Sequence, residues 1–118
     1  MPVKPYSTVH LVLPITPRTI VQLNKMREEL TRTFGGSTLS RVALPSPFVG
    51  YWVTLREGEE IVVVDDLSIT IVDVDIEQHP NYLDYFETLK ATRMDRASPD
   101  YLGEDEIWIL VYNSHRIM

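Results

Sequence analysis

Cysteine is absent from all 118 residues of the chain. Its absence excludes thiolate zinc sites, iron–sulfur clusters, thiol nucleophiles and disulfide scaffolds. Basic residues are few as well, since 11 Lys and Arg stand against 17 Asp and Glu and leave a net charge of −6. Nucleic-acid binding relies on Lys and Arg that displace counterions from phosphates. We therefore expect no nucleic-acid partner, and we expect Arg27, Arg32 and Arg41 to lie on the solvated face of a helix and at its exit.

Long apolar runs are also missing. None approaches the ~18 residues that span a membrane, and the segment Met1–Tyr6 lacks the apolar stretch of a secretory signal. The sequence thus predicts a cytoplasmic protein with no membrane partner and no cofactor. Its 44% hydrophobic and 24% charged residues are typical of an ordinary globular protein. The length suits one domain over residues 1–118.

The pattern that remains is strand–helix–strand, written twice. The first unit runs from Ser7 to about Leu55 and the second from about Glu60 to His115. Two such units fold most readily as an antiparallel sheet with both helices on one face. We predict an α+β fold, a single ferredoxin-like two-layer sandwich with four to five strands and two helices on one face of the sheet.

Both helices are marked at their ends. Thr16 is a suitable N-cap for the first helix, and Gly35 supplies the left-handed residue that ends it. Pro80 and Asn81 open the second helix. We expect this helix to bury Tyr82, Leu83, Phe86 and Leu89.

The strands between the helices differ in length. An edge strand over residues 37–44 is expected to stop at Pro45-Ser46-Pro47, because proline cannot donate to a ladder. A further strand covers Val49–Leu55, and a turn at residues 56–59 leads into a long extended tract, Glu60–Ile76.

This long tract changes character along its length. Leu67, Ile69 and Ile71 occupy alternate positions, which Asp73 and Asp75 continue. Carboxylates cannot follow isoleucine into a core cheaply. Either the strand overhangs the helices or a bulge after Ile71 switches its faces. Both options place the carboxylates at the margin of the sheet.

One face of the predicted sheet has no helix to cover it. If Val9, Leu11 and Leu13 of the first strand are core, the alternate residues point to this open face. Contiguous apolar patches of more than a few hundred Å² usually mark an interface or a ligand groove. The candidate residues of the open face are His10, Trp52, Trp108 and Tyr112.

Several roles are open for these aromatic residues. Trp52 joins the open face if Tyr51 and Val53 are core, and Trp108 and Tyr112 are themselves core if the last strand has the opposite parity. On the open face they favour self-association as a homodimer. The alternative is a small-molecule ligand or substrate in a pocket around His10 and Trp108.

A carboxylate-rich segment is the candidate metal site. Asp73, Asp75, Glu77 and His79 recur at every second position, so in a strand all four leave from one face. Their oxygen and imidazole ligands suit Mg²⁺ or Mn²⁺. Their spacing along one strand is too wide for four ligands of one ion, however, and acidic residues before Pro80 also suit a solvated strand end. We predict no metal centre, with these four residues as the candidates.

No catalytic signature is present, so the sequence leaves open whether the chain is an enzyme. His10 is the best single candidate for a general base, because imidazole titrates near neutrality. The stretch Gly35–Thr38 resembles a phosphate loop, but it follows a helix instead of opening one. Its role as a helix stop explains it.

The chain also resembles a group of small uncharacterised bacterial proteins. Phe34-Gly35-Gly36-Ser37-Thr38 is similar to their FGG-x-T stretch after the first helix. Gly50-Tyr51-Trp52 is similar to their G-x-W stretch on the next strand, and a turn centred on Gly58 follows. The resemblance covers residues 10–75. It implies a ferredoxin-like domain and carries over no catalytic residue.

Overall fold

The computed structural model describes residues 3–103 and 107–117. Strands and helices alternate along the chain in the way that the sequence predicts, and the α+β class is confirmed. The elements are β1 (Val3–Pro14), α1 (Ile20–Phe34), β2 (Thr38–Leu39), β3 (Phe48–Arg56), β4 (Glu59–Asp75), α2 (Tyr82–Met94) and β5 (Trp108–Ile117).

All strand pairs are antiparallel, and the order across the sheet is β2–β4–β1–β5. Residues 67–75 of β4 pair with β1, and residues 59–67 pair with β3. Since Leu67 pairs with both Pro14 and Phe48, β3 lies on the side of β4 away from β1. β2 lies on that same side, so β2 and β3 form one interrupted edge strand.

The interruption is longer than the sequence predicts. Instead of a strand over residues 37–44, only Thr38–Leu39 is a strand, and the chain then leaves the ladder. Ser46 replaces the missing ladder bonds. Its backbone N–H donates to the Asp66 carboxylate at 2.9 Å and its hydroxyl donates to the carbonyl of Leu67 at 2.6 Å. The prolines on either side of it have no N–H to give.

The core lies between the helices and one face of β1 and β4. Val9, Leu11 and Leu13 are buried, so the predicted inward face of β1 is confirmed. The prediction for α2 is wrong in one respect, because Leu83 is exposed. The helices contribute Leu23, Met26, Leu30, Phe86 and Leu89 to the same cluster, and β4 contributes Val72 and Val74.

The first helix begins later than predicted. Residues 16–19 form a turn, and the helix proper starts at Ile20. Thr16 and Thr19 bond reciprocally: the Thr19 N–H donates to the Thr16 hydroxyl oxygen at 3.2 Å, and the Thr16 N–H donates to the Thr19 hydroxyl oxygen at 2.9 Å. This is the geometry of a capping box, one turn ahead of the helix.

β4 carries no bulge where it pairs with β1, since its register is unbroken from Leu67 to Asp75. Its helix-facing positions at mid-strand are Ser68 and Thr70, so Ile69 and Ile71 point to the open face. The helix-facing positions of β4 are therefore the same throughout, and the apolar pattern changes after Ile71 only because two of these positions, Ser68 and Thr70, are polar. As both predicted alternatives required, Asp73 and Asp75 lie at the margin of the sheet.

One of these polar positions receives an arginine. Arg27 of α1 is 5% exposed, so the prediction that it lies on a solvated helix face is wrong. Its Nε donates to the hydroxyl oxygen of Thr70 at 3.0 Å, while its buried Nη2 makes no hydrogen bond within the described residues. Burial lowers the pKa of the guanidinium below its ordinary value.

β3 and residues 59–66 of β4 project beyond the end of β1 as a two-stranded ribbon, here called the arm. The loop of the arm is Glu57-Gly58, with φ of 52° and 80°. Positive φ at both central residues is the geometry of a type I′ turn, which matches the twist of a hairpin. The arm makes the molecule elongated, at 56 × 30 × 27 Å.

Candidate functional site

The open face of the sheet is built from three rows of side chains. Residues directly opposite one another in an antiparallel pair share a face. In the order β4, β1, β5, the rows are Ile69–Val12–Trp108, Ile71–His10–Leu110 and Asp73–Thr8–Tyr112. Two rows are free of charged residues, and the third begins with a carboxylate.

The parity of β5 places its aromatic residues on this face. Trp108, Leu110 and Tyr112 are 40%, 41% and 49% exposed, whereas Ile107 is buried and Ile109 packs against the core. The reversed parity, in which Trp108 and Tyr112 are core, is not what the structure has. Within this single chain, three large side chains of an edge strand remain in contact with solvent.

The four residues singled out from the sequence form two aromatic pairs. The rings of His10 and Tyr112 meet edge to face with centroids 5.0 Å apart. Those of Trp52 and Trp108 are 4.4 Å apart, also edge to face. Such pairs add about 0.5–1.5 kcal/mol beyond the area that they bury.

Trp52 reaches this face for a reason other than the predicted one. Tyr51 and Val53, which were expected to be core if Trp52 is not, are both exposed. Trp52 instead packs over Gly50, where a Cβ atom would lie 2.8 Å from the indole ring and 2.8 Å from Leu67. The missing side chain at Gly50 lets the indole lie flat against the base of the arm. The spacing of Gly50 and Trp52 is the sequence signal for this packing.

Polar groups close one end of the open face. The Thr8 hydroxyl donates to the Asp73 carboxylate at 3.0 Å and accepts from the Ser114 hydroxyl at 3.0 Å. Lys4 binds Asp75 at 2.7 Å. This hydrogen bond is the main reason that the pKa of Asp75 lies below its ordinary value and the pKa of Lys4 above it.

The four candidate metal ligands are not brought together. Asp73 and Asp75 are held by Thr8 and Lys4, and Asp75 also accepts the backbone N–H of Glu77. The His79 ring packs edge to face on Phe34, with centroids 4.9 Å apart. Within residues 3–103 and 107–117, no group of three or more His, Asp or Glu side chains is placed to hold a metal ion.

The glycine stretch and the acidic strand end meet at one cleft, which the sequence did not connect. The cleft has a volume of about 330 Å³. Residues 34–38 form one wall, and Asp73 and Asp75 stand on the other. Both carboxylates already have hydrogen-bond donors from their own chain, so they stabilise the end of the sheet. None of the four aromatic candidates lines this cleft.

A second polar cluster, absent from the sequence predictions, joins the two helices. The Tyr85 hydroxyl donates to one oxygen of Glu29 at 2.7 Å, and Arg93 binds the other oxygen. Arg93 also approaches Asp100 at 3.6 Å. Burial, with the Glu29 carboxylate beside it, raises the pKa of Tyr85 to about 12. The residues come from separate helices, so no local spacing identifies them.

A comparison of the chain with protein-family models found no match, and comparisons with curated proteins and with solved structures found none either. Within the described residues, neither helix has the length and apolar character needed to cross a membrane.

Proposed function

We propose that the chain is a ferredoxin-like α+β module that forms a homodimer through the open face of its sheet. Two observations support the fold assignment. Each half of the chain places one helix between strands, α1 after β1 and α2 between β4 and β5, and β1 lies between β4 and β5 in the sheet. In this proposal β2 and β3 together stand for one strand of the ferredoxin-like pattern, broken at Pro45 and Pro47.

The observation that carries the dimer is the exposure of β5 on the open face. Trp108 and Leu110 complete the two uncharged rows across the sheet, and Tyr112 completes the third row, at the end where Thr8 and Lys4 make their polar contacts. An apolar centre with a polar rim is the usual anatomy of a protein interface. A twofold axis would place the same rows of a second copy opposite these, with the sheets about 10 Å apart.

The contact proposed here gives the protein a structural role, and no catalytic step is assigned to it. His10 would then be an interface residue whose ring is oriented by Tyr112, and not a general base. A ligand pocket around His10 and Trp108 and a cytoplasmic location stay predictions from the sequence.

The test is the mass of the protein in solution for a charged variant of the open face. We expect the wild-type chain to assemble from 13.6 kDa units, and Leu110→Glu to reduce the number of copies, because it places like charges across the twofold axis. Multi-angle light scattering after gel filtration measures both.

Leu83→Glu is the matched control, since Leu83 is an exposed leucine on α2, away from the open face. It should leave the mass unchanged. A wild-type protein that is monomeric at every concentration, or an assembly that Leu110→Glu leaves intact, contradicts the proposed dimer.

A further inference from the structure

The arm carries a second apolar surface, on the side opposite Trp52. In β3 the odd-numbered residues share this side with the even-numbered residues of β4, as the register between them requires. Tyr51, Val53, Leu55 and Val62 are 70%, 67%, 68% and 65% exposed. We call the whole set the arm face: Val49, Tyr51, Val53, Leu55, Val62 and Val64.

The arm face continues the helix-facing side of the sheet past the end of the helices. On β4, Val72 and Val74 lie on that side and are completely buried, while Val62 and Val64 lie on the same side and are exposed. A two-stranded ribbon is at best marginally stable in water unless one of its faces packs against something. The arm face therefore lacks the cover that the rest of this side of the sheet receives from α1 and α2.

The size of the arm face fits a stable contact between two proteins. Six large apolar side chains, each roughly half to two-thirds exposed, exceed the patch of a few hundred Å² that monomers tolerate. They approach the ~800 Å² that each partner buries in an interface of standard size.

The chemistry of the arm face identifies the kind of surface that would cover it. Glu60 at the tip and Asp66 at the base are its only charged residues within the described chain, and everything between them is apolar. Its complement is an apolar ribbon of the same length that leaves Glu60 and Asp66 at the rim of the contact. The arm of a second copy is such a ribbon, and stacking one on the other buries both faces at once.

We propose that the arm face is a self-contact, in which the arms of two copies stack face to face about a twofold axis. This contact is separate from the proposed open-face dimer, because the two surfaces lie on opposite sides of the sheet. Two twofold contacts in one chain lead to a dimer of dimers when the two axes together generate a closed assembly. We therefore expect four copies in the assembly.

The test compares two valines of equal exposure. Val62 lies at the middle of the arm face and Val21 on α1, and both are 65% exposed. We expect Val62→Glu to halve the mass of the assembly in light scattering and Val21→Glu to leave it unchanged. Equal masses for Val62→Glu and wild type overturn the inference, whether the wild type has one, two or four copies.

A conservative variant tests the contact without adding a charge. The chain has no cysteine, so Val62→Cys introduces a single thiol. With a short bismaleimide, Val62→Cys should cross-link into covalent dimers and Val21→Cys should remain monomeric on a denaturing gel. Failure of Val62→Cys to cross-link, in a protein whose circular dichroism matches wild type, also overturns the inference.

The two proposed contacts fail separately. If only the arm contact exists, Leu110→Glu leaves the mass unchanged and Val62→Glu gives monomers. If only the open-face contact exists, Leu110→Glu gives monomers, Val62→Glu leaves the mass unchanged, and the inference is wrong. If both exist, each variant gives dimers and the double variant gives monomers.

Discussion

At the scale of single residues, Gly50 is the glycine with the least room for a side chain. The space that a side chain would occupy is filled by Trp52 and Leu67. We expect Gly50→Ala to destabilise the protein by about 1–3 kcal/mol, as overpacking does, and to move the indole of Trp52 away from Trp108. Chemical denaturation and tryptophan fluorescence measure these two effects.

Gly36 provides the control for this substitution. A Cβ atom there meets no atom within 4 Å. Gly36→Ala should leave the stability nearly unchanged and the fluorescence as in wild type. Equal effects of the two substitutions would show that Trp52 does not depend on the missing side chain at Gly50.

Arg27 is a charged residue buried in the core. No carboxylate of the described residues lies within salt-bridge distance of it, and one of its buried nitrogens makes no hydrogen bond there. Replacing the pair by Arg27→Met with Thr70→Val removes both partners together. We expect the double variant to be more stable than wild type by about 1–3 kcal/mol. Thermal or chemical denaturation decides this, with Lys25→Met as the exposed control, and a destabilised double variant would contradict it.

The same residue shows a limit of reading a helix from its sequence. Arg27 lies four positions after the buried Leu23 and three before the buried Leu30, so the helical period places it on the buried face and only its charge argues for solvent. Its burial depends on Ser68 and Thr70, 40 or more positions later, which leave room and a hydroxyl on the facing strand. The sequence of the helix contains no information about that polar partner.

At the scale of elements, Tyr85 fastens α2 to α1 through Glu29. Its pKa is raised from 10.0 to about 12 in the folded protein. The folded state therefore holds the phenolic proton more tightly, and this contribution to stability is complete below pH 10 and is lost as the pH rises to about 12. We expect Tyr85→Phe to flatten the fall in stability over this range, in unfolding curves measured at successive pH values.

Tyr101 offers a comparison for this prediction, since it is a partly exposed tyrosine outside the two helices. Tyr101→Phe should keep the alkaline fall in stability. If Tyr85→Phe and wild type lose stability in parallel between pH 10 and 12, folding does not raise the pKa of Tyr85 and the prediction is wrong.

Both helices and the long strands are predictable from the sequence, α1 and the strands from their periodic apolar positions and α2 from its marked start at Pro80 and Asn81. The helix stop at Gly35 is local chemistry, and the structure has it; the edge strand is interrupted from residue 40 to residue 47, a span that contains Pro45 but begins before it. The start of α1 is displaced to Ile20 because Thr16 and Thr19 bond reciprocally and hold residues 16–19 in a turn ahead of the helix. The length of β2 is wrong because the ladder is abandoned before the prolines are reached.

At the scale of the whole molecule, the open face is predictable and the arm face is not. Two helices in a two-layer fold leave one side of the sheet bare, so the alternation in β1 names His10, whereas Trp108 and Tyr112 follow only once the parity of β5 is known. The alternation of β3 is equally clear, but it indicates a buried side where Tyr51 and Val53 are exposed. Which part of a strand a helix covers depends on where the helix ends in space. A strand that a helix covers and a strand that it leaves bare can have the same alternating pattern.

The position of β5 beside β1 affects how the chain is made. Val3 pairs with Ile117 and Val12 with Trp108, so β1, which is synthesised before the other described strands, has its ladder completed only by the last of them. Contacts between distant parts of a chain form slowly, and an unpaired strand is open to pairing with other chains in the meantime. The arm, whose strands are joined by two residues, needs no such delay. During synthesis the central strand of the sheet therefore keeps one bare edge until β5 has been made.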